Sequence, residues 1–306
     1  MSATTSTEVR PATADAISAA VLLLADGMPV AVPTETVYGL AADARNAEAV
    51  ARIYAAKGRP SFNPLIVHVT GLEMAKTLGE FSPEAQRLAE AHWPGPLTLV
   101  IPARADNGIA DIVTAGLETI AVRCPAHPVM RALVEAVGPL AAPSANASGQ
   151  ISPTLAAHVA KSLDGRIPLV LDAGPAKRGI ESTIVAATGD GLRLLRPGPG
   201  QIEGVVEAGS DKIEAPGQLS SHYAPSKPLR LDAVSAREGE VLIGYGDVEG
   251  QITLGKDPVS AAARLFAALH EADAAPEPCI AVAPVPGDGL AAAIRDRLQR
   301  AAAPHD

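Results

Sequence analysis

The first feature of this sequence whose side chains could do chemistry is a short basic stretch followed by an apolar one. AAKGRPSFNPLIVHV, residues 55–69, places Lys57 and Arg59 at the end of a predicted helix and His68 inside a predicted buried strand. Each has an ordinary explanation, because cations complement the C-terminal end of a helix and a lone buried histidine is usually a satisfied core residue. Together, two cations and an imidazole after a threonine-rich turn indicate an anion-binding pocket.

Hydroxyl groups and a further cation stand near the ends of two other predicted strands. PTETVYGLAADA, residues 33–44, places Thr36 directly after the predicted buried strand VAVP. The predicted strand TIAVR ends on Arg123, and an arginine can bind a carboxylate through two parallel hydrogen bonds. For each segment taken alone, the plainer alternatives stay open: a strand-to-loop turn at Thr36 and a surface ion pair at Arg123.

Small polar residues follow another predicted strand in APSANASGQISPT, residues 142–154. Ser144 and Asn146 lie in the turn, and Thr154 lies where the next helix is predicted to begin. Free backbone N–H groups point outward at such a place, so the segment can cradle an anion or a nucleotide. Ordinary turn chemistry of serine and asparagine explains the same residues equally well.

Three segments in the second half of the chain supply groups of the same kind. Ser182 lies in ESTIV, Arg196 ends the predicted strand LRLLR, and His222 and Tyr223 lie in SHYAPSKP. An aromatic ring and an imidazole are unusual in a mere spacer rich in proline. We therefore predict that this last segment folds over a bound molecule.

Several standard catalytic signatures are absent from the sequence. It contains no G-x-x-x-x-G-K-[ST] phosphate loop, no complete G-x-G-x-x-G, no H-E-x-x-H, no G-x-S-x-G and no S-x-x-K. A nucleotide would therefore have to bind through a different arrangement of donors.

Periodicity and capping residues predict the elements that must position these side chains. Apolar residues at helical spacing predict helices, and short apolar runs between turn residues predict strands. Helices interleaved with such strands favour an α/β fold with a mixed sheet. The predicted helices are 13–26, 46–58, 82–92, 128–137, 153–163, 258–271 and 288–300, and the predicted strands are 30–33, 65–69, 97–101, 119–123, 140–143, 168–172, 182–187, 192–196, 240–246 and 278–285.

We expect two domains, because a chain of 306 residues can bury two cores. Glycine and proline recur between Pro197 and Pro228 without a long periodic segment, which is typical of a linker. The predicted division is a first domain over 10–200, a linker over 201–228 that folds over the site, and a smaller α/β unit over 229–306.

Composition narrows the classes of function. The net charge of −9 and the pI near 5.3 argue against a whole-surface grip on nucleic acid. The two cysteines, Cys124 and Cys279, indicate neither a disulfide framework nor a cysteine-rich zinc site. The apolar stretch over 16–25 is too short to cross a bilayer and lacks a basic leader. We therefore expect a cytoplasmic protein without a membrane partner.

The motifs resemble those of one known family. PTETVYGL, KGRP with NPLIVH, SAN with SPT, ESTIV and LRPG occur in this order over most of the chain, and together they resemble the YrdC-like threonylcarbamoyladenylate synthases. SHYAP and the trailing α/β unit are similar to the two-domain form of that family. The resemblance implies an α/β fold: a twisted open mixed sheet (YrdC-like) with a second, smaller Rossmann-like α/β domain.

The resemblance also implies an activity. It implies a nucleotidyltransferase that condenses L-threonine, bicarbonate or CO2, and ATP into threonylcarbamoyl-adenylate and pyrophosphate, with magnesium on the phosphates. A threonylcarbamoyl transferase complex would then use the product to modify the adenosine beside the anticodon of certain tRNAs, so tRNA is an indirect partner.

The family's site residues carry over to matching positions of this chain. The implied threonine subsite consists of Thr36, His68, Arg123, Ser144 and Ser182. The implied nucleotide subsite consists of Arg59, Asn63, Thr119, Asn146, Thr154, Arg196 and Tyr223. We expect Lys57 and Arg59 to be the catalytic cations near the phosphates and Arg123 to clamp the threonine carboxylate. The base that deprotonates threonine stays open between His68 and the substrate itself.

Other classes of function remain alternatives. An RNA-binding module without ATP turnover would suit a concave basic face, although net acidity and scarce aromatic residues weigh against it. A carbamoyl transferase of the hydrogenase-maturation type contains a similar domain, but two cysteines cannot supply the zinc segments of that class. A nucleotide-binding regulator is an alternative for the C-terminal unit, for which we favour anchoring of the linker.

Overall fold

The computed structural model describes residues 6–189, 191–200, 202–207, 214–217 and 222–304. Within these ranges the helices are α1 (Ala14–Ala25), α2 (Ala47–Lys57), α3 (Leu72–Leu78), α4 (Pro83–His92), α5 (Asp111–Thr114), α6 (Pro128–Val137), α7 (Ala156–Leu163), α8 (Pro258–Ala274) and α9 (Leu290–Ala302). The strands are β1 (Glu8–Pro11), β2 (Val30–Val32), β3 (Gly39–Asp43), β4 (Ile66–His68), β5 (Leu97–Pro102), β6 (Thr119–Arg123), β7 (Leu140–Ala141), β8 (Leu169–Asp172), β9 (Thr183–Gly189), β10 (Gly191–Arg196), β11 (Val205–Glu207), β12 (Leu229–Arg230), β13 (Glu240–Gly244), β14 (Ile252–Thr253) and β15 (Cys279–Val282).

Eleven of the described strands form one mixed sheet, in the order β1-β8-β2-β3-β7-β4-β6-β5-β9-β10-β11. Strand β4 runs parallel to β6, and β5 runs parallel to β9, whereas β6 and β5 are antiparallel. Strands β1 and β11 lie at the two edges, so the sheet is open and not closed into a barrel. The predicted α/β fold with an open mixed sheet is confirmed.

The C-terminal strands form a separate, smaller sheet in the order β12-β15-β13-β14, and all its pairs are parallel. Helices α8 and α9 cover it, and Leu265 and Ile294 from these helices pack with Ile243 and Ile280 from the strands. Both helices lie on the face that presents Ile243 and Ile280, whereas Leu242 and Ala281 on the opposite face pack against Ala233. Both faces of this parallel sheet are therefore covered. The predicted second, smaller α/β domain is confirmed.

Capping residues set most helix starts where the sequence predicts them. The Asn46 side chain accepts hydrogen bonds from the N–H groups of Glu48 and Ala49, and α2 ends at Gly58, whose φ of 60° is left-handed. The Ser82 hydroxyl accepts from the N–H of Ala85 at the start of α4. These side chains satisfy backbone donors that would otherwise lack partners.

Helix α7 begins later than predicted, at Ala156 and not at 153. The carbonyl of Pro153 accepts a hydrogen bond from the N–H of Tyr38, and the carbonyl of Thr154 accepts one from the N–H of Ala176. These tertiary bonds hold the segment extended. The backbone before α7 is therefore committed to neighbouring loops and not to a helical turn.

Several short elements were not predicted, namely β1, β3, α3, α5, β11, β12 and β14. Strand β11 falls inside the predicted linker and runs parallel to β10. Residues 201, 208–213 and 218–221 of that linker lie outside the described residues, so the division at 200 and 229 stays a prediction. No helix in the described ranges is long and apolar enough to span a membrane.

The core of the smaller domain includes side chains from the first part of the chain. Val37, Ile151, Ile180 and Tyr223 belong to the same buried cluster as Phe266 of α8. The smaller domain therefore packs directly against the segments that carry the predicted site residues.

Candidate active site

Two predicted site residues stand side by side at the ends of neighbouring strands. Strand β4 ends on His68 and the parallel strand β6 ends on Arg123, and these two residues are paired in register. The residues before His68 are buried and apolar, so they fix the strand in the sheet. Since the carboxyl ends of parallel strands meet at one edge, the imidazole and the guanidinium reach the same place.

A cavity lies at this edge, with an empty volume of about 570 Å³ that includes a part open to solvent. The guanidinium-bearing residues Arg59, Arg123 and Arg196 all line it, although they come from distant parts of the sequence. The structure thus brings three cations into one hollow, of which Arg123 and Arg196 are buried. The predicted site residues in its wall are Thr36, Arg59, His68, Arg123, Ser144, Ser182, Arg196 and Tyr223.

Each of the three guanidinium nitrogens of Arg123 donates one hydrogen bond to a neighbouring group. Its Nη1 donates to the Thr36 hydroxyl over 3.0 Å, its Nε to the Gly95 carbonyl over 3.2 Å, and its Nη2 to the Glu35 carboxylate. The Glu35–Arg123 ion pair is buried, which excludes the surface ion pair considered for Arg123. Burial opposes ionisation of Glu35, but the charge and the hydrogen bond of Arg123 outweigh the effect of burial. The pKa of Glu35 is therefore lowered.

His68 is held neutral beside this pair. Burial first, and then the positive charge of Arg123, lower the pKa of His68 to about 3, against the opposing influence of Glu35. Its Nδ1 atom is buried and has no hydrogen-bond partner among the described residues. A neutral imidazole can accept a hydrogen bond or a proton, or donate a hydrogen bond, depending on its tautomer.

Arg59 follows helix α2 and points back into the cavity. Its Nε donates to the carbonyl of Asn63 over 3.2 Å, and its Nη2 donates to the carbonyl of Pro64 over 2.9 Å. Burial lowers its pKa to about 10, so it stays a cation at neutral pH. The loop of 58–64 therefore folds around its own arginine and leaves donors free for a ligand.

Lys57 lies beside the cavity and not in its wall. Its Nζ donates to the carbonyl of Ser144 over 2.6 Å and to the carbonyl of Asn146. Burial, and then the nearby charge of Arg59, place its pKa well below the usual range. The contacts of Lys57 are thus with the 144–146 turn, which they hold against helix α2.

Arg196 is fixed by the residue before strand β9. Its Nε donates to the Ser182 carbonyl over 3.0 Å, and its Nη2 donates to the Ser182 hydroxyl over 3.1 Å. That hydroxyl also shares a 2.7 Å hydrogen bond with the hydroxyl of Thr98 in β5. All three side chains are buried, so this chain of bonds fixes where the guanidinium faces the cavity.

A segment that we call the strap, residues 214–217 and 222–224, closes one side of the cavity. Arg196 Nη1 donates to the carbonyl of Pro216 over 3.3 Å, and Gly217 lies in the wall with a φ of 84°. His222 and Tyr223 complete this side, and Tyr223 has a left-handed φ of 65° that side chains rarely adopt. That this part of the chain folds over a bound molecule stays a prediction.

Four predicted nucleotide residues do not line the cavity. Asn63 and Asn146 are buried next to it, and each has an Oδ1 atom without a partner among the described residues. Thr154 is buried near His158, with the Thr154 hydroxyl 3.5 Å from its Nδ1. Thr119 begins strand β6, at the end remote from Arg123.

Buried polar atoms without partners concentrate around this cavity. Proteins rarely leave such atoms unpaired, because each costs the full penalty of its lost hydration. Their clustering marks positions where the atoms of a ligand would supply the missing bonds. In the described part of the chain they belong to Glu35, Asn63, His68, Asn146, His222, Tyr223 and Arg297.

Several residues at the site were not predicted as site residues from the sequence. Glu35 and Glu181 stand next to predicted hydroxyl ligands, and an acid in a hydroxyl-rich turn is a signal that could have indicated them. Thr98 lies in an apolar strand and Arg297 in an amphipathic helix, so neither position stands out. In the described residues, no three His, Cys, Asp or Glu side chains form a group that could hold a metal ion.

Comparisons with known proteins agree with this geometry. A family model described as "Telomere recombination" (Sua5, YciO and YrdC) matches residues 22–198. A second, described as "Threonylcarbamoyl-AMP synthase, C-terminal domain", matches residues 198–303. The two matches together span residues 22–303, and the resemblance drawn from the motifs is confirmed.

Individual relatives point to the same family. A threonylcarbamoyl-AMP synthase of Bacillus subtilis is 49% identical over 229 residues, which is 70% of this chain and 66% of that protein. One of Pyrococcus abyssi is 38% identical over 310 residues, covering 90% of this chain and 91% of that protein. The crystal structure of P. abyssi Sua5 complexed with L-threonine has a TM-score of 0.86 at 37% identity, over 94% of both chains. The chain belongs to the threonylcarbamoyl-AMP synthase family, in the form that carries the C-terminal domain.

Proposed function

We propose that this chain is a threonylcarbamoyl-AMP synthase, a nucleotidyltransferase that converts L-threonine, bicarbonate or CO2, and ATP into threonylcarbamoyl-AMP and pyrophosphate. The convergence of Arg59, Arg123 and Arg196 on one cavity carries the proposal. An amino-acid carboxylate and a triphosphate are both anions, and buried guanidinium groups bind such anions through paired hydrogen bonds. The curated relatives that are 38–49% identical carry this name.

The threonine end of the cavity is the part around Arg123. We propose that the threonine carboxylate shares this guanidinium with Glu35, and that the hydroxyls of Thr36, Ser144 and Ser182 bind the polar groups of threonine. The P. abyssi relative was crystallised with L-threonine, which supports an amino acid as the ligand here. The neutral imidazole of His68 offers an uncharged neighbour to the amine.

The nucleotide end is the part around Arg59 and Arg196. We propose that these cations meet the phosphates and that Tyr223 of the strap covers the nucleotide. Asn63, Thr119, Asn146 and Thr154 stay proposed as nucleotide contacts, although none of them lines the cavity and Thr119 lies at the end of β6 remote from Arg123. The unpaired Oδ1 atoms of the two asparagines support this for Asn63 and Asn146.

The proposed reaction has two steps that need no covalent intermediate with the protein. The threonine nitrogen bonds to the carbon of CO2 and loses a proton, which gives a carbamate. A carbamate oxygen then bonds to the α-phosphorus as the bond from that phosphorus to the pyrophosphate oxygen breaks. Negative charge moves onto the pyrophosphate, and fixed cations aimed at it lower the barrier.

The roles of the basic residues follow from their contacts. Arg59 faces the cavity and supplies charge directly, whereas Lys57 holds the carbonyls of the 144–146 turn and would act on the phosphates through that turn. The proton acceptor for the threonine amine is proposed to be a phosphate of the substrate or His68, whose Nδ1 has no partner in the described residues. The pKa of about 3 makes His68 a weak base and favours the substrate phosphate.

Magnesium is proposed to enter with the triphosphate. Magnesium keeps several waters and is usually bound by one or two carboxylates together with substrate phosphates. Glu181 is the carboxylate in the described lining of the cavity. Its two oxygens already accept hydrogen bonds from Ser152 and Arg297, so a magnesium ion would share them. The ion would supply charge neutralisation on the phosphates.

The downstream partners are proposed from the chemistry of the product. An acyl-adenylate is a reactive mixed anhydride, so it has to be passed to a transferase complex that holds an acceptor nucleophile. We propose a threonylcarbamoyl transferase complex acting on tRNA in that place, with the synthase itself in the cytoplasm.

The test is an assay of the purified chain with ATP, L-threonine and bicarbonate. We expect pyrophosphate release that depends on all three and a threonylcarbamoyl-AMP product detected by its mass. ATP consumption without a need for threonine would contradict the proposal. Salt-dependent RNA binding without turnover would support the rival RNA-binding function, for which the described structure offers no specific observation.

A further inference from the structure

The largest completely buried side chain in the described structure belongs to an arginine outside the cavity wall. Arg297 of helix α9 has 0% of its surface exposed. Burying a guanidinium is costly unless other groups compensate its charge and its donors. Its Nη2 even lacks a hydrogen-bond partner among the described residues. The cost of burying this guanidinium in the C-terminal domain must be offset by the contacts that it makes.

The first contact of Arg297 reaches across to the catalytic half of the chain. Its Nε donates to the Glu181 carboxylate over 3.0 Å, and its Nη1 donates to Asp296 over 2.7 Å. The other oxygen of Glu181 accepts from the Ser152 hydroxyl over 2.5 Å. Glu181 lies in the cavity wall directly before Ser182, which orients Arg196.

The second contact is with the strap. The Arg297 guanidinium carbon lies 5.5 Å from the centre of the Tyr223 ring, within range for a cation–π interaction. Phe266 of α8 packs on the same ring, with centroids 5.3 Å apart. Helix α9 also holds the strap backbone, because the N–H of His222 donates to the carbonyl of Arg300 over 3.2 Å. Tyr223 therefore sits between two side chains of the C-terminal domain.

The Tyr223 hydroxyl indicates that these contacts hold the ring for a ligand in the cavity. It is buried and has no hydrogen-bond partner in the described residues, although the ring lines the cavity. The strained φ of 65° at Tyr223 persists only where surrounding contacts determine it. Those contacts come from α8 and α9, and they leave the hydroxyl available to a ligand.

We infer that Arg297 is a positioning residue for the nucleotide subsite: from the C-terminal domain, it fixes the Tyr223 ring and the Glu181 carboxylate in the cavity wall. The inference rests on the proposed function for the identity of the ligand. It assigns the C-terminal domain a larger share in nucleotide affinity than in threonine affinity, because Arg123, Thr36 and His68 have no described contact with Arg297. Among the described residues, Ser182 is linked to Arg297 only through the neighbouring residue Glu181.

The test uses the full chain and a double-mutant cycle between Arg297 and Tyr223. Affinities for a non-hydrolysable ATP analogue and for L-threonine are measured by calorimetry on the wild type, Arg297→Met, Tyr223→Ala and the double variant. We expect Arg297→Met to weaken analogue binding about tenfold, which is the size of a cation–π or charged hydrogen-bond contact. Threonine binding should stay within about twofold of the wild-type value. The double variant should be no more than about twofold weaker than Tyr223→Ala alone.

Controls separate positioning from general damage to the fold. Arg264→Met removes an ion pair of the same domain that is 46% and 54% exposed, and it should change neither affinity. If Arg297→Met does not fold, Arg297→Lys takes its place in the cycle, because lysine keeps the charge near Glu181 but loses the planar fork and should weaken analogue binding in the same direction. The inference is overturned if the two effects multiply in the double variant, if threonine binding weakens equally, or if the Arg297 variant binds the analogue as tightly as the wild type.

The same samples distinguish this inference from the proposed function. A wild type that binds both ligands but forms no threonylcarbamoyl-AMP contradicts the proposed function, while the cycle still decides the role of Arg297. A wild type that does not bind the ATP analogue contradicts both.

Discussion

The imidazole rings of His158 and His270 stack with their centroids 3.8 Å apart, across the contact between helix α7 and helix α8. His270 Nε2 lies 3.2 Å from the carbonyl of Ser152, two residues before Thr154. Burial lowers the pKa of His158 to about 3 and that of His270 to about 4. The charge of Lys161 adds to both shifts, and Asp273 opposes the shift of His270. Burial therefore favours the neutral form of both rings in this stacked pair, which joins the two halves of the molecule.

Acid should weaken this contact. Because the folded pKa values of about 3 and about 4 lie below the ordinary 6.5, the unfolded chain binds more protons in that window, and stability falls as the pH falls through it. We expect His270→Phe, which keeps a ring but cannot be protonated, to show a shallower loss of melting temperature between about pH 7 and about pH 5. Thermal unfolding at several pH values measures this. His92→Phe, outside the contact, should keep the wild-type slope, and equal slopes for wild type and His270→Phe would refute the prediction.

Arg59→Ala should affect chemistry far more than folding. The variant removes a cation that faces the proposed phosphates, so we expect pyrophosphate release to fall about 100-fold, the usual cost of losing one donor at developing charge. The melting temperature should change little, because the two bonds of Arg59 are to carbonyls of its own loop. Arg87→Ala, which removes an exposed cation, is the control. Full pyrophosphate release by Arg59→Ala would contradict the role proposed for it.

Thr98→Val should reveal the bond that fixes Ser182. Valine has the shape of threonine but leaves the buried Ser182 hydroxyl with one partner fewer, so we expect a loss of about 1–3 kcal/mol in the free energy of unfolding. Denaturant titration of Thr98→Val, Ser182→Ala and the double variant measures the coupling. The prediction fails if the two losses simply add, because residues joined by a hydrogen bond are coupled.

Gly217→Ala and Gly204→Ala form a matched pair. Both glycines have a left-handed φ, of 84° and 74°, so both alanine variants should lose about 1 kcal/mol of unfolding free energy. At Gly204 an added Cβ meets nothing within 4 Å, whereas at Gly217 it would lie 3.0 Å from Arg196 Nη1 and 3.0 Å from the Tyr223 hydroxyl. We therefore expect only Gly217→Ala to raise the KM for ATP, by several-fold. An equal rise in both variants would show that the strap contacts are not responsible.

The sequence was most informative where one local rule decides the structure. Asn46, Ser82 and Gly58 mark helix ends through their own side chains or backbone freedom, and the structure has α2 and α4 at those places. Arg123 could be placed at a strand end because it closes an apolar run, whereas His68 was predicted inside the strand over 65–69 and the structure ends β4 on it. The second domain was predictable for the same reason, since its strands and helices carry their own periodicity.

Partners distant in the sequence were not predictable from local patterns. Glu35 meets Arg123 only because β2 and β6 belong to the same sheet, and no spacing in the sequence records that. Lys57 was predicted beside the phosphates, yet its neighbours are carbonyls of the 144–146 turn. Arg297 resembles any arginine on an amphipathic helix until helix packing buries it.

The place of helix α9 in the chain has a consequence for biosynthesis. A ribosome releases every strand of the large sheet before it reaches Arg297, so a nascent chain can assemble the sheet while the side of the pocket near Tyr223 still lacks its support. Folding that proceeds from the N-terminus would then finish the threonine end first and the nucleotide end last. An incompletely translated chain would thus bind threonine but would neither bind nor consume ATP.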